Sequence, residues 1–454
     1  MKTPIKNRFA LWLLAVVMFL ASGESKANEL VRYNTGDNTT PGSIIKHYIN
    51  NMDVVCCQGS GCPYFMLYKE SSSIPYALYL QNMDTIYDFE ILNDTIYFCG
   101  TGYATIAGAA IIGYFDLATL YSLAPANVQY IPMPLMKKIT MIETDYIAWR
   151  IHVVGIGESI QSEGMMVDLI KEPTYWNVNF SVVGGDTVIL SDLEILSGYV
   201  VVTSKMPSID PVYSAIDKGR LWYIKKPTTP GISLFPNNVD YKDLPSVYNV
   251  TGKYLIKKMM DGNMFVTAHQ IGNHNTGVNP FVLSFYNGLT YNTSVELDDP
   301  QWIDVSMKDF SYGFDCHSIE LLLYGYYDPY YGTAPRSMVY DIPEPPLPST
   351  PVYAHSINGV CFESLDDAWV IFTNFVHFVA VGHKSSSVIP YYMKFKSGIF
   401  GSCLEKIRFT CNENIISHTV GRKNISSTQI LQLPVEGISY KKELSLVNEC
   451  STTK

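Results

Sequence analysis

The chain has 454 residues, 47% of them hydrophobic, enough for a large core or several packed modules and incompatible with a disordered protein. The formal net charge is −10 with no run of like charges, which excludes a clustered basic surface of the kind that binds nucleic acid. Charged residues make up only 16% and aromatic residues 13%, including 33 Tyr, a balance that suits strands and loops better than long solvated helices.

Residues 1–27 have the layout of a secretory signal peptide. Lys2, Lys6 and Arg8 precede an apolar run from Phe9 to Leu20, and small or polar residues offer cleavage after Gly23 or Ala27. The run is short for a membrane span, and no later stretch reaches 18 uncharged apolar residues, so an exported protein, periplasmic or extracellular, without a transmembrane segment is expected. Residues 28–52 read as a polar leader with a possible short helix at Ser43 to Ile49. All nine cysteines lie beyond the signal; Cys57 with Cys62 and Cys403 with Cys411 are spaced for local disulfide loops.

From Asp53 onward the pattern is strand and turn. A first unit has strands near Asp53 to Cys56, Tyr64 to Tyr68 and Tyr76 to Leu80. The complete unit, Met83 to Leu117, has two β-patterned runs on either side of Asn93-Asp94, residues that tolerate the positive φ of a tight hairpin, then a third run ending in Asp116. Hairpins recur with turns at Thr144-Asp145, Ser197-Gly198 and Asp261-Gly262. Weaker copies turn near Asp315, Asp366-Asp367 and Asn412 to Asn414. The third run recurs as AAIIGYFDL, GMMVDLI, GRLWYIKK, PFVLSFY, SMVYDI, VIPYYMKF and TQILQLP. Its copies are separated by roughly 42–60 residues, close to or above the blade length of known propellers.

Three strands cannot cover both faces of their own sheet, and each unit leaves room for a fourth. The expected fold is all-β: a single β-propeller over residues 53–445, with seven four-stranded blades (eight as the alternative), closed by strands from both termini and followed by a tail, 446–454. A parallel β-helix has shorter, more regular rungs, and a string of β-sandwiches would show linkers. The pattern Asp88-x-x-Ile91-x-x-Asp94-x-Ile96-Tyr97-Phe98, followed by a loop and an apolar strand ending in Asp, resembles LVIVD-type and related WD40-like propeller repeats of exported bacterial proteins. The resemblance implies architecture and carries over no catalytic residue. Trp-Asp blade ends and the paired-glycine kelch signature are missing.

If the tight hairpin turns share one face of the disc, the longer second connections share the other, and a localised site is expected there. Two of those loops carry candidates. Tyr326, Tyr327, Tyr330 and Tyr331 surround Asp328-Pro329 with flat rings suited to sugars or peptide side chains, and His269 and His274 form a close pair. The histidines do not fit a zinc-binding spacing, and no calcium loop, nucleophile elbow or phosphate loop is present, so neither metal nor cofactor is expected. The leading functional expectation is binding of a glycan, peptide or protein partner on the long-loop face. The alternative is a polysaccharide hydrolase or lyase with carboxylates converging at the central channel.

Overall fold

A computed structural model describes residues 29–450 apart from 35–38, 49–51, 70–75, 103–109, 123–125, 134–135, 146–149, 158–161, 169–173, 180–187, 208–216, 227–237, 246–249, 260–261, 272–280, 299–301, 314–317, 328–335, 346–351, 358–363, 371–375, 384–390, 397–403, 416, 425–426, 432–434 and 444. The described chain is nearly all β-strand. Its one short helical element is a 3₁₀ turn at Leu117–Leu120, capped by the Asp116 carboxylate, which accepts from the Ala118 N–H at 2.8 Å.

The strands form antiparallel meanders of four. In the second, Met83–Leu92 pairs with Thr95–Gly102, then Ala110–Asp116, then Gln129–Met133. Its hairpin turns through Asn93 and Asp94 at φ 47° and 57°, the left-handed pair that a two-residue turn between twisted strands requires. The first meander is Thr39–Tyr48, Met52–Gly59, Tyr64–Lys69 and Tyr76–Leu80. The third is Met136–Asp145, Arg150–Gly157, Ser162–Asp168 and Thr174–Asn179. Ile189–Ile195, Tyr199–Pro207, Asp217–Lys225 and Asn238–Asp243 make the fourth. The fifth comprises Val250–Lys258, Met264–Ile271, Phe281–Asn287 and Thr290–Asp298. The sixth comprises Trp302–Gly313, Ser318–Tyr327, Arg336–Pro343 and Val352–Ile357. The seventh takes Ser364–Val370, Val376–His383 and Tyr391–Lys396 from late in the sequence and its fourth strand, Glu29–Asn34, from the beginning.

The first strand of each meander packs beside the first strand of the next, and that of the seventh beside that of the first. Apolar faces meet between successive meanders, as sheets must when one pleat alone cannot exclude water. Phe65 of the first packs against Phe89, Phe98 and Phe115 of the second, with ring centroids 5.3, 5.6 and 5.2 Å away. Each such fully buried ring contributes on the order of 1.5–3 kcal/mol.

Residues 404–450 run outside this set as a belt. Leu404–Asn414 lies along the fourth strands of the sixth and then the fifth meander. Thr419–Asn424, Ser427–Leu431, Val435–Glu436 and Ser439–Glu443 add a fifth strand to the fourth, third, second and first meanders in that order. Ser445–Cys450 ends the belt against Glu29–Asn34.

Several sequence expectations change here. Thr39–Tyr48 is a strand where a short helix was expected, because its apolar residues Ile44 and Ile45 are held in a ladder with Met52–Gly59. Residues 28–52 are therefore not simply a leader; they hold two paired strands. Asp366 and Asp367 lie inside Ser364–Val370 rather than at a turn. Leu404–Asn414 is one continuous strand with no hairpin at Asn412, and TQILQLP belongs to the belt. Residues 446–450 are paired strand, not a free tail. The proposed signal peptide lies outside the described residues.

A candidate binding cavity at the first strands

Every first strand carries a register shift against its neighbour, between Thr40/Ile44, Ile86/Asp88, Ile139/Met141, Leu190/Asp192, Thr251/Tyr254, Met307/Asp309 and Leu365/Asp367. A bulge of this kind re-aims the side chains that follow it. Two positions past the shift, or three in the fifth meander, stand Lys46, Glu90, Glu143, Glu194, Lys257, Ser311 and Trp369, one from each meander. All seven line one cavity of about 290 Å³, together with Tyr48, Ile91, Lys258 and Tyr312.

Carboxylates just after the bulge have a structural task. A first strand has a full ladder along one edge only, the other edge carrying at most the single bridge from Val250 to Asp217, so the N–H groups of that other edge need acceptors. Asp88 accepts from Phe89 N–H at 2.9 Å and from Ile142 N–H of the next meander at 3.1 Å. Asp192 does the same with Leu193 and Ile256, both at 2.9 Å, and Glu194 with Ile195 at 3.0 Å and Lys258 at 2.9 Å. Asp367 of the seventh meander accepts from Ile45 N–H of the first at 3.1 Å. These acids suture one meander to the next.

The charged groups of the cavity are unevenly matched. Lys46 Nζ lies 2.7 Å from Glu90 Oε1 and 3.4 Å from Asp88 Oδ1, and Lys257 Nζ lies 3.4 Å from Asp309 Oδ1. Both ammonium groups also sit over the Trp369 ring, 4.9 and 4.6 Å from its centroid, a cation–π arrangement. Glu143 accepts from Thr144 N–H at 3.2 Å and, among the described residues, forms no ion pair. Burial pushes the Glu143 carboxyl well above the usual range, and repulsion from Glu90 and Glu194 adds to this more than Lys46 and Lys257 offset. Burial likewise raises Asp192 to about 6 against the pull of Lys257 and its two N–H donors. For Lys46, burial disfavours the charged form, but Asp88, Glu90 and Glu143 outweigh it and hold the ammonium on. Among the described residues no three of His, Cys, Asp and Glu are placed to share a metal ion.

The candidates taken from sequence lie elsewhere. Tyr326 and Tyr327 end the strand Ser318–Tyr327, opposite Ile303 and Trp302, while Tyr330, Tyr331 and His274 lie outside the described residues. His269 is no loop ligand: it is fully buried in Met264–Ile271, against the Tyr254 ring at 5.1 Å, and burial lowers it to about 3, so it stays neutral. Cys57 and Cys62 are separate buried thiols rather than a disulfide, packed in one apolar cluster where burial pushes Cys57 up to about 12. Cys411 lies in the belt strand opposite Leu297, and Cys403 is outside the described residues. The cavity sits on the side of the tight turns, since the lining residue Tyr48 donates through its hydroxyl to Asp94 of the Asn93-Asp94 turn at 3.2 Å. The long-loop end, where a site is expected from the sequence, is the opposite one. The sequence signal for this cavity is the triplet Asp88-Phe89-Glu90, repeated as Asp192-Leu193-Glu194 and varied as Asp309-Phe310-Ser311 and Asp367-Ala368-Trp369.

No family model matches the chain, so none supports the LVIVD resemblance, and no curated protein matches its sequence. Among solved structures the chain is similar to a polysaccharide lyase of family PL25, an ulvan lyase bound to -[GlcA(1-4)Rha3S]-, with a TM-score of 0.42, 11% identity, and coverage of 79% of this chain and 94% of that one. It is also similar to the polysaccharide lyase Uly1, with a TM-score of 0.28, 7% identity, and coverage of 82% and 100%. Likeness at this level leaves the reading of the site to its own residues.

Proposed function

We propose that the chain is an exported seven-bladed β-propeller that binds a carbohydrate in the cavity at its hub. The propeller reading is supported by the seven four-stranded meanders and by the return of the seventh to the first through Asp367 and Ile45. Export is supported by the charged, apolar and small-residue order of residues 1–27.

One observation carries the binding reading: all seven first strands deliver one or two side chains to a single cavity. Its wall combines donors and acceptors with the Trp369, Tyr48 and Tyr312 rings. Sugars need that combination, because their hydroxyls take directional hydrogen bonds while their C–H faces lie on flat rings. The volume is at the small end of small-molecule sites, about 300–1,000 Å³, and suits a sugar or a chain end better than an extended polymer. A glycan array followed by calorimetry tests the proposal. Wild-type protein is expected to bind at least one glycan class, and Trp369→Ala to weaken it about tenfold or more. No glycan bound, or affinity unchanged in Trp369→Ala, would overturn it.

A second reading, cleavage of the bound glycan, is favoured by the unequal environments of Glu143 and Glu90. Burial and like charge favour the protonated form of Glu143, a general acid, while Lys46 sits 2.7 Å from the carboxylate of Glu90. Assaying array hits for new reducing ends or unsaturated products separates the two readings.

A further inference from the structure

The cavity has more to say about its ligand once the structural carboxylates are set aside. Asp88, Asp192, Glu194 and Asp367 each hold backbone N–H groups, and Glu90 is paired with Lys46. Glu143 joins no meander to its neighbour and, among the described residues, has no cationic partner. It stands midway along an acidic arc, with Glu90 from the preceding meander and Glu194 from the following one, and Lys46 and Lys257 only at the two ends. Across the cavity is Trp369, whose ring already accepts two ammonium groups of the protein itself. A carboxylate beside two others is compensated by Lys46 and Lys257 only in part, and the described acids do not converge as metal ligands. What fits is an organic cation small enough to enter beside the ring.

We propose that this cavity selects ligands bearing a protonated amine, with the ammonium group against Glu143 and the carbon skeleton against Trp369. Resting on the carbohydrate reading, the substrate class is an amino sugar with its nitrogen unacetylated. A neutral sugar would leave Glu143 either protonated or uncompensated, whereas an ammonium group satisfies it with charge-assisted hydrogen bonds. The same group gives the binding a pH dependence. Glu143 faces Glu90, Glu194, Lys46 and Lys257; burial and the two acids outweigh the lysines and favour its protonated form, with which a cationic ligand competes. Affinity therefore rises with pH until the ligand amine itself deprotonates.

The test is calorimetric titration of wild-type protein and Glu143→Gln with a glucosamine trimer, its fully N-acetylated counterpart and ethanolamine. The expected result is an affinity for the glucosamine trimer about tenfold or more above that for the acetylated trimer, the worth of one charge-assisted hydrogen bond, and lost in Glu143→Gln. Wild-type affinity should also climb as pH rises from the acid side, until the ligand amine deprotonates, a readout that needs no variant to fold. Equal affinity for both trimers overturns the amine assignment and leaves carbohydrate binding standing. Ethanolamine bound without either sugar does the reverse, and no binding at all removes both. A preference that survives in folded Glu143→Gln moves the amine away from Glu143 and overturns the assignment.

Discussion

Most of the acids at the first strands are there for the backbone. Asp192 shows what this costs: its two N–H donors and Lys257 favour the carboxylate, yet burial outweighs them and raises its pKa from 3.8 to about 6. A carboxyl with a raised folded-state pKa contributes most below its unfolded value and loses that contribution as pH rises through the folded one. Glu90, Glu143, Glu194 and Asp367 are shifted in the same direction. The urea midpoint of the wild-type protein is therefore expected to fall as pH rises from about 4 to about 6. Asp192→Asn should flatten that slope, and a midpoint that rises across the interval would count against the assignment. The triplets Asp88-Phe89-Glu90 and Asp192-Leu193-Glu194 were legible in the sequence. Their roles were not, since the acceptor–donor pairs span 54 residues from Asp88 to Ile142 and 64 from Asp192 to Ile256.

Among the elements, the belt departs most from what local pattern can reveal. Its strands are short apolar or mixed runs like those inside the meanders, so TQILQLP reads as one more third strand; only the pairing of Ser427–Leu431 with Thr174–Asn179 shows otherwise. Gly437 marks where the belt comes closest to the sheet beneath it. Its N–H donates to Val128 at 2.8 Å, and a Cβ there would come within 1.8 Å of the Tyr130 ring. Gly421 meets Tyr241 in the same way, with 2.3 Å to the ring. Gly437→Ala must lift Val435–Glu436 from Gln129–Met133 or displace a buried ring, an overpacking cost of about 1–3 kcal/mol. Thermal melting should register the loss, and amide exchange should localise it to 435–438. A melting temperature equal to wild type would show that the belt does not press on Tyr130.

For the whole molecule, the repeat was readable because each meander restates the same order of turn and apolar run, as at Asn93-Asp94 and Ser197-Gly198. The fourth strand of the seventh meander was not, because Glu29–Asn34 stands more than 350 residues from its partner Tyr391–Lys396. A chain truncated after residue 403 loses the outer strand of every meander at once. It exposes the edges of Tyr76–Leu80, Gln129–Met133 and their counterparts, and an uncovered edge invites pairing with another chain. Size-exclusion chromatography should find it aggregated or unfolded; a monomer with wild-type stability would relegate the belt to ornament.

The belt also sets an order in time. The chain is made from the N-terminus, yet the outer edge of the first meander waits for Ser439–Glu443, and that of the seventh for Ser445–Cys450. The belt visits the sixth, fifth, fourth, third, second and first meanders before the seventh, the reverse of their synthesis for all but the last. No meander made early can therefore reach its final form before residues 404–450 have been made, and completion of the fold is a late event gated by that segment.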